Sequence, residues 1–272
     1  MRLIFDFDGT ITECDTIGDL ASAGVDFQRT QHGHDLSAQW DHVVKAYMGD
    51  YQRYKDSYPV REEDRHSVQE EVEFLAGLRT VERSSLARVE ACGVFSGLQE
   101  TDLFQMGVDA VESRKIVIRE GFKDLVELAE QRGWGLGVIS VNWSRSFIRG
   151  VLHRFSIPVV TNEISQDGEV QGPKFLGQPM TSSAGKLRCL EHEFARDGEE
   201  TLYFGDSTTD LECLLRNGIV LSNNDGSSLI RTLRRLGFTV SHTASYGIGD
   251  QPANFYWARN FREILDSGIL NK

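Results

Sequence analysis

Apolar residues fall along this chain in two rhythms. Leu3, Ile4 and Phe5 form a short β-prone run that ends in Asp6-Phe7-Asp8 and breaks at Gly9. Beyond it the period changes to that of a helix. Asp15 is placed to cap a short helix through Ile17 and Leu20. Trp40, Val43, Val44, Tyr47, Tyr51 and Tyr54 recur every three or four residues, which predicts a long amphipathic helix stopped by Pro59. Val68, Val72, Leu75 and Leu78 predict another, and the pattern resumes at Leu86 and Val89. Gly93 and Gly97 punctuate before a helix from about Gln99 to Ser113. Residues 15–115 therefore read as a helical block without a strand.

From Ile116 onward short apolar runs alternate with helical faces. Phe122, Leu125, Leu128 and Ala129 predict a helix ending near Gly133; Leu136 to Val141 reads as a buried strand, followed by a helix through Phe147, Ile148 and Val151. Pro158-Val159-Val160 opens a strand, and Glu163 to Gln171, centred on Asp167-Gly168, reads as a hairpin. Helices are expected over Lys186–Phe194, Thr209–Arg216 and Ser228–Leu236, with strands over Thr201–Phe204, Gly218–Leu221 and, last, Phe238–Ser241. Such alternation implies a parallel sheet covered on both faces. The expected architecture is an α/β, Rossmann-like parallel-sheet core, residues 1–14 and 116–272, with an all-helical cap, residues 15–115, inserted after the first strand.

Composition narrows the partners. The 272 residues are 40% hydrophobic and 26% charged, ordinary for a globular chain, with a net charge of −12. That balance argues against nucleic acid or an anionic membrane as partner, since both require basic surface. No apolar run reaches the roughly 20 residues of a membrane span, and the first residues lack a signal-peptide pattern. Cys14, Cys92, Cys189 and Cys213 are scattered without metal-ligand or disulfide spacing. A cytoplasmic location is expected; the sequence leaves the oligomeric state open.

Ligands of an open α/β sheet collect beyond the carboxyl ends of its strands. Strand alternation sends Asp6 and Asp8 to one side and Phe7 to the other. Two acids so placed repel unless a cation or shared proton relieves them. Ser140 ends the run Gly137-Val138-Ile139, and its hydroxyl, with the amides of Val141 and Asn142 before the next helix, can hold a phosphate. Leu202-Tyr203-Phe204-Gly205-Asp206 puts a third acid at a strand end, and Asp210 a fourth one turn later. Oxygen ligands of this kind suit Mg²⁺. Lys186, one α/β unit before Asp206, and Lys174, in Gly172-Pro173-Lys174, both compete as the cation that reaches the cluster.

Asp6-Phe7-Asp8-Gly9-Thr10, Ser140, Lys186 and Gly205-Asp206 with Asp210 resemble, in order, the four motifs of the haloacid dehalogenase-like hydrolases. The helical insert after the first motif is similar to that of the small-cap phosphatases, phosphoserine phosphatase among them. The stretches Ile139–Ser144 and Tyr203–Leu215, with the Tyr246–Leu265 tail, look like the phosphatase domain of plant thiamine monophosphate phosphatases and related fungal proteins. The resemblance implies that Asp6 is the nucleophile and forms an aspartyl-phosphate. It makes Asp8 the acid for the leaving alcohol and then the base for water, its carbonyl joining the Mg²⁺ shell. Ser140, Val141, Asn142 and Lys186 hold the phosphoryl oxygens; Asp6 and Asp206 hold metal, with Asp210 as a second ligand or its support. The implied substrate is a small phosphorylated metabolite. A phosphomutase, a phosphonate hydrolase using Lys45 or Lys55, and a noncatalytic binding module reuse the same core. Trp40, Tyr47, Tyr51, Tyr54 and Trp143 are available to stack on a cationic heteroaromatic, or else form the core of the helical block.

Overall fold

The structure is a computed structural model that describes residues 1–195, 198–248 and 253–271. The chain opens with β1 (Arg2–Phe5), and five helices follow: α1 (Ile17–His32), α2 (Ser37–Ser57), α3 (Val68–Gly77), α4 (Arg79–Cys92) and α5 (Glu100–Glu112). Then come α6 (Phe122–Gln131), β2 (Gly135–Ile139), α7 (Arg145–Val151), β3 (Val159–Val160) and the hairpin β4 (Glu163–Ile164) and β5 (Val170–Gln171). The rest is α8 (Ser183–Cys189), β6 (Thr201–Gly205), α9 (Leu211–Leu214), β7 (Gly218–Leu221), α10 (Ser228–Arg235), β8 (Val240–His242), β9 (Phe255–Ala258) and α11 (Phe261–Ser267).

Seven strands form one parallel sheet in the order β3-β2-β1-β6-β7-β9-β8. Alternation along β1 divides the interior. Leu3 and Phe5 join the buried cluster under α6 and α11, where Phe5 stacks on Phe204 at 4.8 Å and meets Phe122 edge-on at 5.4 Å. Ile4 faces the opposite cluster with Tyr203, Leu211, Val220 and Leu233. The expected Rossmann-like α/β sheet is what the chain forms.

Two expectations need correction. The helix opened by Asp15 is not short: α1 runs sixteen residues, with Asp15 Oδ1 accepting from the Ile17 amide at 2.9 Å. Of its buried face only Leu20 and Val25 are large and apolar, and Ala21, Gly24 and Gln28 complete it, which weakens the periodic signal. Phe238–Ser241 is not the last strand either. β9 follows and inserts between β7 and β8, so the tail noted from Tyr246 completes the sheet; residues 249–252 of it lie outside the described residues.

The helices between β1 and α6 are fastened to the sheet at two places. On α3, Phe74 and Leu75 belong to the same buried cluster as Ile4. Beside them Glu71 accepts from Arg65 and from Arg235 of α10, each at 2.8 Å, with Arg65 and Glu71 both buried. At the other place, α5 crosses α7 through Gly107 and Gly150, where a β-carbon on either would strike the facing helix's backbone.

Candidate active site

β1 stops at Phe5 because the backbone must turn immediately beyond Asp6. Residues 7–11 form one wide turn, closed by the Thr12 amide on the Phe7 carbonyl at 3.0 Å. Gly9 sits at φ +71°, and a β-carbon there would run into the Asp206 carboxylate, so glycine is required twice over. Phe7 is buried in the core, while the Asp6 side chain turns toward Lys186. The turn is held from below by Arg119, a residue that no local pattern marks. Its buried guanidinium donates to the carbonyls of Thr10 (2.9 Å) and Arg259 (2.8 Å) and to that of Gly9.

The carboxyl ends of β2, β1 and β6 bring the predicted residues together. Asp6 Oδ1 accepts from the Phe7 amide at 2.7 Å and from Lys186 Nζ at 2.8 Å. Lys186, fully buried at the second turn of α8, also donates to Asp210 Oδ1 at 2.7 Å. Of the two candidate lysines, Lys186 reaches the acids, whereas Lys174 lies exposed in a single turn after β5. Asp210 is enclosed by donors: Tyr203 Oη at 2.8 Å joins Lys186 on Oδ1, and the amides of Asp206 and Ser207, both at 3.1 Å, meet Oδ2. Asp206 has a looser hold, among the described residues a single side-chain hydrogen bond, from Thr10 Oγ1 at 3.0 Å.

Asp8 is fixed by a partner that sequence reading passed over. Thr16, just before α1, donates its amide (2.8 Å) and hydroxyl (2.6 Å) to Asp8 Oδ1, and Asn142 Nδ2 donates to Oδ2 at 2.9 Å. The Asn142 side chain thus orients Asp8, while its amide donates to Ser140 Oγ at 3.0 Å. Ser140 and Asn142 are buried and Val141 is half-buried. Behind them, Thr161 Oγ1 bridges the carbonyls of Ser140 (2.7 Å) and Asn142 (2.8 Å), and Asn162 donates to the Asn142 carbonyl at 2.9 Å. This buried brace sets the loop from which amides can face an anion.

The electrostatics are those of crowded carboxylates. Burial, then the charge of Asp210, pushes Asp6 well above the ordinary carboxylate range, against the pull of Lys186. Burial likewise raises Asp8, with Thr16 and Asn142 opposing. Asp206 is pushed up to about 7 by burial and by Asp210. Oxygen atoms of Asp6, Asp206 and Asp210 lie within 4.8 Å of one another. A hard divalent cation among oxygen donors would relieve that repulsion, and the donor set fits one. The satisfied state of Asp210 leaves Asp6 and Asp206 as the better placed ligands.

The aromatic residues of the helices divide in two. Tyr54 donates to the Phe74 carbonyl at 2.7 Å and packs on that ring at 5.3 Å, inside the helical block. Trp40 instead meets Trp143, the residue after Asn142, edge-on at 6.2 Å. Tyr47 donates to Glu82 Oε1 at 2.9 Å, and its hydroxyl is raised by burial, then by Glu82, with Tyr51 and Asp15 adding to the effect. Asp15 itself is lifted to about 6 by burial and by Asp8. Lys45 is exposed and Lys55 pairs with Glu62 at 3.3 Å.

A family model, haloacid dehalogenase-like hydrolase, matches residues 3–215. Cold tolerance protein 1 of Saccharomyces cerevisiae is 24% identical, the alignment covering 92% of this chain and 89% of the yeast protein. A CTO1 family protein of Schizosaccharomyces pombe is 26% identical over 79% of this chain and 78% of its own. Among solved structures, a phosphoserine phosphohydrolase-like protein of Francisella tularensis matches with a TM-score of 0.52 and 16% identity, covering 97% of this chain and 98% of that one. A substrate-bound phosphoserine phosphatase gives 0.53 at 15% identity, covering 97% and 96%. At these identities the structural matches establish the fold. Among the described residues no helix is long and apolar enough to cross a membrane.

Proposed function

The chain belongs to the haloacid dehalogenase-like hydrolase family, its model spanning residues 3–215, and from that premise we propose that it is a Mg²⁺-dependent phosphomonoesterase acting on a small phosphorylated metabolite. The observation that carries the reading is the buried Lys186 ammonium shared between Asp6 and Asp210 within the three-acid cluster of Asp6, Asp206 and Asp210. Because Oδ1 of Asp6 is engaged by Lys186 and the Phe7 amide, Oδ2 is the oxygen left to attack phosphorus. The P–O bond to the alcohol breaks as the Asp6–phosphorus bond forms, and Asp8 delivers its proton to the departing oxygen. Asp8 then takes a proton from the water that attacks the aspartyl-phosphate, releasing phosphate and restoring Asp6. Ser140 Oγ, the amides of Val141 and Asn142, and Lys186 hold the equatorial oxygens. Asp6, Asp206 and the Asp8 carbonyl would hold Mg²⁺, with Asp210 supporting; the bound ion would neutralise phosphoryl charge.

Residues 15–115 serve in this reading as a cap over a core of residues 1–14 and 116–272. Its anchorage through Glu71 and Gly107 supports a preset wall for the leaving group. Tyr47 lies in the field of Glu82 and Asp15, Asp15 in that of Asp8, and Trp40 and Trp143 add aromatic edges. Acids with aromatic rings favour a leaving group that carries positive charge, which makes thiamine monophosphate the first substrate to try.

The test is release of inorganic phosphate over a panel of phosphorylated metabolites, with Mg²⁺ or with EDTA, by the native protein and Asp6→Asn. Hydrolysis that needs Mg²⁺ and disappears in Asp6→Asn is expected. Full turnover in EDTA, or near-native turnover by Asp6→Asn, would refute the mechanism. Isomerised product without phosphate release would assign a mutase.

A further inference from the structure

A cavity larger than the one beside Asp206 lies away from the carboxylates. It is an open groove of about 840 Å³ bounded by α5, α7, the α7–β3 connection and β3, the edge strand of the sheet. Its composition is unlike the rest of the molecule. The chain carries 41 acidic against 29 basic residues, yet residues 131–162 contain no Asp or Glu, and no residue lining the groove is acidic. Arg145, Arg149 and Arg154 line it. Arg145 and Arg149 are one helical turn apart on α7, and both are exposed.

These guanidiniums are mostly unspent. Arg145 has Glu163 at 3.6 Å, but Arg149 and Arg154 have no ion pair among the described residues. Arg154 is oriented by His153: its Nε donates to His153 Nε2 at 3.3 Å while His153 Nδ1 donates to the Gly150 carbonyl at 2.9 Å. The same lining includes apolar side chains. Phe104 of α5 is 37% exposed, and Phe155 and Ile157 are half-buried.

Surface arginines in a protein of this charge ordinarily pair with the abundant carboxylates. Three arginines with one distant carboxylate among them, beside an exposed aromatic ring, point to a multiply charged anion with a planar body. Guanidinium groups meet phosphate oxygens in paired hydrogen bonds, an exposed phenylalanine offers a stacking face, and the cavity has the size of ordinary small-molecule sites. We propose that this groove is a second ligand site, separate from the catalytic acids, that binds a nucleoside polyphosphate. The phosphates lie on Arg149 and Arg154 and the base against Phe104.

Isothermal titration of the full chain with the imido analogue of adenosine triphosphate, in EDTA at physiological salt, tests this. One-to-one binding is expected, unchanged in Asp6→Asn and weakened by about tenfold or more in the Arg149→Ala, Arg154→Ala double variant. That variant should keep its circular dichroism spectrum and its phosphate-release activity, since neither residue touches the catalytic groups. Phe104→Ala should weaken the nucleotide analogue while leaving tripolyphosphate unaffected. The proposal fails if the native protein does not bind the analogue, if the double variant binds as well as the native protein, or if Asp6→Asn abolishes binding. It fails equally if only anionic vesicles saturate the groove, or if it is occupied by a second copy, seen as a dimer in sedimentation that the arginine substitutions dissociate.

Discussion

Asp210→Asn is the substitution whose outcome the geometry decides most sharply. The carboxylate meets donors on both oxygens, Lys186 Nζ and Tyr203 Oη on one and the amides of Asp206 and Ser207 on the other. An amide has one acceptor, so either orientation turns its NH₂ toward a pair of donors. With the oxygen on Lys186, two main-chain N–H groups lose their partner, each costing about 1–3 kcal/mol when buried. Lys186 keeps Asp6 at 2.8 Å, so it is not left unpaired. Removing one charge also relieves Asp6 and Asp206, both of which Asp210 raises. The net cost is about 3 kcal/mol, near the lower limit for breaking a buried charge pair. For a domain of this size that lowers Tm by about 6–12 °C. Asp206→Asn is the contrast: its one side-chain partner, Thr10, donates equally well to an amide oxygen, and a crowded charge disappears. It should unfold no lower than the native protein in metal-free buffer, while losing hydrolysis. Calorimetry of the three proteins in EDTA decides. A Tm for Asp210→Asn within about 2 °C of native, or an equal fall in Asp206→Asn, would refute the assignment of Asp210 as the structural acid and Asp206 as the loosely held one.

Arg119→Met removes the donors beneath the turn after β1 and should cost about 2–4 kcal/mol in urea unfolding, with kcat falling more than KM rises; unchanged kcat would reduce Arg119 to a packing role. Tyr54→Ala should destabilise by about 2–3 kcal/mol and impair all substrates alike. Tyr47→Phe should remain folded and alter the ratio of natural-substrate to generic-ester turnover, and an unchanged ratio would remove it from the selecting wall. Glu82 is raised above its ordinary value by burial, so its folded form holds the proton more tightly than the unfolded chain. Its contribution to stability is therefore full below the unfolded pKa and is lost as pH rises through the folded one. Glu82→Gln keeps an acceptor for Tyr47, and its Tm should gain on the native protein between pH 4 and neutrality; parallel pH curves would contradict a buried, ionising Glu82.

What the sequence by itself determined is what short-range geometry encodes. Periods of two and of 3.6 residues separate strand from helix wherever one face is strongly apolar, and so the sheet's main strands and the helices from α2 to α5 are legible in the pattern. Asp6, Asp8 and Asp206 are legible too, because an acid at the end of an apolar strand, with a glycine within three residues, is a local anomaly, and Asp210 follows one turn after Asp206. Where burial relies on small or polar side chains the signal fades, as in α1, whose Gly24 lies against Val94 and Phe95 and whose Gln28 donates to the Ser96 carbonyl at 2.7 Å. Only the tertiary structure could place β9 between β7 and β8, since pairing partners are chosen by backbone hydrogen bonds between distant segments. The same is true of the supporting residues. Arg119 finds its acceptors in the turn after β1, Thr16 shares Asp8 with Asn142, and Lys186 prevails over Lys174 because α8 directs it between two acids. A titratable group announces its chemistry in the sequence, but its partners are set by which chain segments the packed core brings within hydrogen-bonding distance.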